Sequence, residues 1–268
     1  MVYFVYTFIQ NTKYSIHNTM SKFQIFTAKE KDSLREAGKI LAECLAYTGS
    51  LVTPGITTKE LDRAAEEFIR KHEGATPAFQ GYHGYPATLC TSVNEECVHG
   101  LPGGRVLEDG DVIAVDCGVM INDLYTDACR TFGVGTISAE AKHLLDVTEK
   151  ALQKAVAVTK AGVHVGTISS TVEKYVEGEG LTIVSALTGH GLGKTLHQFP
   201  DVPNYGEANT GPILPIGTMI AVEPIVCTGK DGIRETGDHW TINTKDGSLS
   251  AHFEHTLLIT EAGCEILA

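Results

Sequence analysis

Four acids and one histidine stand out because each lies among residues that bury their neighbours. Asp116 and Asp127 fall on the two arms of an expected hairpin around Ile121-Asn122-Asp123. Their positions sum to an odd number, so a tight loop of even length puts both on one face of the pair. A four-residue loop at residues 120–123 would make them directly opposed, ~5 Å apart at Cβ. Facing carboxylates repel and lose hydration, which is costly unless a proton or a cation intervenes. For these two alone, an exposed place at the rim of a sheet is the competing reading. Glu223 in Met219-Ile-Ala-Val-Glu-Pro-Ile-Val226 and Glu254 in His252-Phe-Glu-His-Thr-Leu-Leu-Ile259 weigh against it, since an unpartnered glutamate in an apolar strand is expensive. His190, in Thr188-Gly-His-Gly-Leu-Gly193, adds a neutral nitrogen donor. Such a mixed oxygen and nitrogen set suits two divalent ions bridged by shared carboxylates, with a bridging water made nucleophilic.

An internal echo explains how these groups could meet. Gly110-Asp-Val-Ile-Ala-Val-Asp116 matches Gly217-Thr-Met-Ile-Ala-Val-Glu223 at an offset of 107 residues, and the same offset aligns His83 with His190 and Gly55 with Gly162. Two copies are too few for a solenoid, so the reading is one domain of two related halves around a shared centre.

Each half carries two helical patterns ahead of its strands. Thr27-Ala-Lys-Glu30 is a capping box, followed at helical spacing by Leu34, Ala37, Ile40, Leu41, Cys44 and Leu45. A second start falls at Thr57-Thr58. Ser138 caps the third helix, and Thr167 or Ser169 is expected to open the fourth. Strands are expected over residues 111–118, 124–134, 219–227, 240–243 and 252–260. Helices grouped apart from strand runs indicate an α+β fold.

Bulk properties narrow the function. The chain has 268 residues, 43% hydrophobic and 20% charged, with a formal charge of −12 and no basic run. Nucleic-acid binding is therefore not expected. Seven cysteines form no CxxC pair, which suits a reducing compartment without a disulfide framework. Residues 1–19 read as an extension or an alternative-start segment, probing neither a membrane span nor a secretory signal. Among the other histidines, His99 and His197 adjoin glycine-rich turns and could bind substrate or stabilise an oxyanion. His83 is read as pocket wall. His239, His252 and His255 are read as strand supports.

The pattern resembles the methionine aminopeptidases, type I of the metal-dependent pita-bread peptidases. The matching segments are Gly81-Tyr-His-Gly-Tyr-Pro86, Ser92-Val-Asn-Glu95 with His99-Gly-Leu-Pro102, the hairpin with both aspartates, Gly189-His-Gly-Leu-Gly193 with His197, Val222-Glu-Pro224, and the stretch from Trp240 to Glu254-His-Thr256. The resemblance implies a pseudo-two-fold fold, with a curved antiparallel sheet flanked by helices, over residues 20–268. It implies removal of the N-terminal methionine from nascent polypeptides by a hydroxide bridging two divalent metals, iron, manganese, cobalt or similar. Asp127, His190, Glu223 and Glu254 would hold one ion, and Asp116, Asp127 and Glu254 the other. His99 and His197 would contact the scissile peptide, and Glu223 would also handle a proton. Tyr82, Tyr85, Cys90 and Trp240 would line the methionine pocket, with Phe79 and Leu196 as departures where cysteine and phenylalanine are common. Asn94 and Ser250 would help to hold a monovalent cation. A cytoplasmic monomer is expected, meeting nascent chains at the ribosome and binding no membrane. An Xaa-Pro peptidase and a non-catalytic binding protein on the same fold are the alternatives.

Overall fold

The computed structural model describes residues 22–268; the expected 1–19 extension lies outside them. Helix α1 spans Ala28–Leu51 and α2 Thr58–Arg70. Both begin with complete capping boxes. Thr27 and Thr57 accept from the backbone N–H of Glu30 and Glu60, and each glutamate accepts from its cap residue's N–H at 2.8 Å. Such a cap stabilises a helix by about 1 kcal/mol. The helices lay Leu41, Leu45, Leu61 and Ile69 against Ile113, Val115 and Val119 of the long hairpin, burying all of them. Each fully buried leucine or isoleucine contributes roughly 1.5–3 kcal/mol.

That hairpin joins Val112–Ile121 to Leu124–Gly133. Its turn is two residues long, Asn122-Asp123, both at positive φ (53° and 58°), as in hairpin turns whose twist matches the strands. The register pairs Asp116 with Cys129 and Gly118 with Asp127. The aspartates thus share a face as parity requires, but as diagonal neighbours; the directly opposed pair of the four-residue loop does not occur.

Helix α3 spans Ala139–Val158, capped by Ser138, and α4 spans Val165–Gly178. The fourth helix starts earlier than Thr167 or Ser169. His164 is its cap residue and makes no side-chain capping bond. Instead the N–H groups of Val165 and Gly166 donate to the carbonyls of Pro212 and Thr210, so a neighbouring loop satisfies the free helix end. The same device occurs in the first half. Thr58 N donates to Arg105 O and Lys59 N to Gly103 O, while Gly55 N to Leu107 O recurs as Gly162 N to Leu214 O. Every one of these bonds is displaced by 107 residues from its counterpart.

All strand pairings are antiparallel. The α+β class expected from the sequence is the one observed. Two expected strands are interrupted. Residues 219–227 split into Met219–Val222 and Ile225–Cys227, and residues 252–260 divide so that Ser250–His252 and His255–Ile259 flank Phe253-Glu254. The breaks face each other, since Val222 pairs with His255 and Ile225 with His252. Pro224 has no N–H to offer a ladder, and both glutamates fall inside the break.

Candidate metal centre

The interrupted strands and the hairpin converge on one cluster. Asp127, on the second hairpin strand, is tied to the strand His255–Ile259 by Thr256, whose Oγ1 accepts from Asp127 N (2.9 Å) and donates to Asp127 O (2.6 Å). Glu254 N donates to Cys129 O at 2.9 Å. Thr131 makes the same reciprocal pair with the backbone of His252. These bonds stitch the two halves together at the level of the acids.

His190 stands on Thr188–Gly191, between two glycines with no room for a side chain. A Cβ on Gly189 would lie 2.5 Å from Ala221 O, and one on Gly191 2.2 Å from Phe199 O. The ring's Nδ1 lies 3.0 Å from Gly191 O, which places the proton on Nδ1 and leaves Nε2 with its lone pair. Nε2 faces Glu223 Oε1 at 3.4 Å.

Donor atoms of Asp127, His190 and Glu254 all lie within 4.8 Å of one another. Asp127, His190, Glu223 and Glu254 are buried, while Asp116 is half-buried with its Oδ1 sealed from solvent. Asp116 Oδ1, Asp127 Oδ1 and Glu254 Oε1 have no hydrogen-bond partner. Among the described residues the cluster's ion pairs run to histidines, at Glu223 and Glu254. Buried carboxylate oxygens without partners, beside an imidazole nitrogen with a free lone pair, are a donor set that suits a divalent metal ion.

The electrostatics agree. Burial pushes the Asp116 carboxyl up to about 7. Burial, and then the charge of neighbouring acids, raises Asp127, Glu223 and Glu254 well above the ordinary carboxylate range. Burial lowers His99 and His190 to about 4 and His252 to about 3, so all three are neutral at pH 7. A raised carboxyl stabilises the fold while protonated, and that contribution is lost as pH rises through its folded pKa. The lowered histidines act in the opposite sense, and their contribution is complete once pH exceeds the ordinary value of 6.5. Above that point the raised carboxyls set the trend. Metal-free protein should therefore lose thermal stability from pH about 6.5 to about 8, and saturating Mn²⁺ should abolish the loss. Melting curves with and without metal across this window check it; a metal-free midpoint that stays level or rises contradicts it.

A cavity of about 870 Å³ opens beside the cluster. It is lined by Asp116, Asp127, His190, Glu223 and Glu254, and also by Phe79, Tyr82, Tyr85, Cys90, His99, Leu196, His197 and Trp240. Every site residue expected from the sequence, the two cation residues Asn94 and Ser250 apart, thus reaches one space. Phe79, Tyr85, Cys90 and Leu196 form a buried apolar group, with Tyr82 and Trp240 packed on it. Tyr85 meets Trp240 edge-on at 5.0 Å, and its hydroxyl donates to Leu89 O. His197 meets His190 edge-on, ring centroids 4.3 Å apart, with its Nδ1 3.4 Å from the Tyr82 hydroxyl. His83 lines the same cavity.

One residue of the cluster escaped the sequence reading. His252, taken as a strand support, is buried with its Nε2 3.7 Å from both Glu223 Oε2 and Glu254 Oε2. Its two-residue spacing from Glu254 was the available signal, since alternate strand residues share a face. His255 does turn away, with Nδ1 2.7 Å from Ala268 O. His239 lies exposed at the cavity edge.

Comparison with known proteins agrees with this geometry. The model of metallopeptidase family M24 matches residues 32–261. A methionine aminopeptidase of Clostridium perfringens is 48% identical over 238 residues, 89% of this chain and 95% of the relative. Methionine aminopeptidase 1 of Bacillus subtilis is 46% identical, covering 90% of this chain and 97% of its own length. The crystal structure of a methionine aminopeptidase from Thermotoga maritima superposes with a TM-score of 0.90 at 40% identity, over 91% of this chain and 98% of that one. The fold is the pita-bread fold. The chain belongs to metallopeptidase family M24 and, within it, to the methionine aminopeptidases.

Proposed function

We propose that the protein removes the N-terminal methionine from nascent polypeptides, using a pair of divalent ions held by Asp116, Asp127, His190, Glu223 and Glu254. The observation that carries this reading is a single cavity that joins a buried metal-type donor cluster to an apolar pocket. Asp127 and Glu254 would touch both ions. When bound, the ions supply Lewis acidity and bring the pKa of a water near neutrality.

The chain's own residues do the rest. Phe79, Tyr82, Tyr85, Cys90, Leu196 and Trp240 receive the methionine side chain, a flexible thioether that apolar and aromatic walls suit. His99 and His197 donate hydrogen bonds to the scissile carbonyl as negative charge develops on it. Glu223 takes the proton of the attacking nucleophile and delivers it to the leaving amine. Residues 20–268 act as one domain of two related halves, as a monomer in the cytoplasm, on chains emerging from the ribosome. The turn at Asn94, whose carbonyl accepts from Ser250 N, is the place for a monovalent cation.

Protein supplied with Mn²⁺ or Co²⁺ should release methionine from Met-Ala-Ser peptides and leave Gly-Pro and Xaa-Pro-Ala substrates intact. Preference for the proline substrates would mark an Xaa-Pro peptidase instead. Binding without hydrolysis of any of them would mark a non-catalytic protein.

A further inference from the structure

His252 lies in the cluster without a partner for its outer nitrogen. Its Nε2 is sealed from solvent and makes no hydrogen bond. It stands at 3.7 Å from one oxygen of Glu223 and at 3.7 Å from one oxygen of Glu254. Leaving a buried ring nitrogen unpaired costs on the order of 1–3 kcal/mol, so this nitrogen has a role that the five donors do not account for. Two readings of the distances are open to it: a further donor to an ion, or a donor to the two carboxylates.

The geometry favours the carboxylates. The mutually close donor set consists of Asp127, His190 and Glu254; Asp116 and Glu223 also lie outside it, so what places the His252 nitrogen is its equal 3.7 Å separation from the two glutamates. These are the glutamates that occupy the facing strand breaks. Glu223 is in fact flanked by two imidazoles, His190 on Oε1 and His252 on Oε2. Both separations exceed an N–H···O bond of about 2.7–3.2 Å, so contraction of the glutamates onto a cation would have to complete it. Thr131 holds the His252 backbone from one side, and strand pairing with Ile225 holds it from the other.

We propose that His252 is a positioning residue of the metal centre, its Nε2–H shared between Glu223 and Glu254 and fixing the angle at which both present their oxygens. This rests on the reading of the five donors as a metal site. Ligating carboxylates are commonly oriented by such outer partners, whose loss weakens metal binding about 10–100-fold. Glutamine at 252 would keep an N–H donor, whereas leucine would keep bulk and lose it.

The test is calorimetric titration of metal-free protein with Co²⁺, alongside proton NMR of the Co²⁺-loaded form. His252→Leu should weaken Co²⁺ binding by about 10–100-fold, and His252→Gln should stay within about threefold of the parent. The unaltered protein should give one strongly shifted, exchangeable imidazole N–H signal, that of His190. A second such signal would make His252 a ligand and overturn the proposal, with no variant needed. Unchanged affinity in a folded His252→Leu protein would overturn it as well. Failure of the unaltered protein to bind Co²⁺ at all would instead bring down the metal reading itself, an outcome separable from the other two.

Discussion

Replacing Asp127 with asparagine should lower kcat/KM for a Met-Ala-Ser peptide by more than about 100-fold while making the metal-free protein more stable. The two effects share one cause. Asp127 is 5% exposed, and its carboxyl is raised by burial and by the charges of Glu254 and Asp116. A neutral amide of the same shape relieves that repulsion. It also deprives the ions of the carboxylate assigned to bridge them, and loss of a bridging ligand should exceed the 10–100-fold cost of an outer partner. The fold should survive, because the bonds from Thr256 go to the Asp127 backbone and not to its side chain. Opposite signs for activity and melting temperature separate this from misfolding. A variant that keeps its metal and its activity contradicts the bridging role.

His99→Ala and His197→Ala should each reduce kcat by about 100- to 1000-fold, with metal stoichiometry unchanged. Both imidazoles line the cavity beside the cluster, and neither belongs to the close donor set. His99 sits at a φ of 58°, in a left-handed turn that aims its ring into the cavity and that alanine tolerates poorly, so His99→Asn is the better-behaved variant there. Burial holds His99 neutral down to about pH 4. It therefore acts through a hydrogen bond rather than a charge, and the parent enzyme's kcat should show no inflection from its titration near pH 6.5. Steady-state kinetics with metal analysis of each variant check both points. A large rise in KM with kcat preserved would assign these residues to ground-state binding alone.

Much of the centre was legible because buried charge is conspicuous in sequence. Asp116 and Asp127 share a face by parity alone, whatever the exact loop. Their diagonal offset was not legible, because it depends on whether Asn122-Asp123 forms the whole turn, and both residues tolerate the positive φ that this requires. Glu223 and Glu254 were visible as acids in apolar strands. The breaks that hold them were not, since each break is compensated by the one opposite, a relation between strands far apart in the chain. The start of α4 shows the same limit. Its end is satisfied by the carbonyls of Thr210 and Pro212, and no local cap marks it. His252 was missed for a different reason. A histidine in an apolar strand is usually structural, and only the position of Glu223 across the break makes this one part of the cluster.

The most direct test of the central claim is an anaerobic titration of metal-free protein with Mn²⁺ while hydrolysis of a Met-Ala-Ser peptide is followed. The account predicts no hydrolysis without metal, and activity that rises with binding and saturates with two ions per chain. Full hydrolytic activity in protein verified to contain no metal would contradict it.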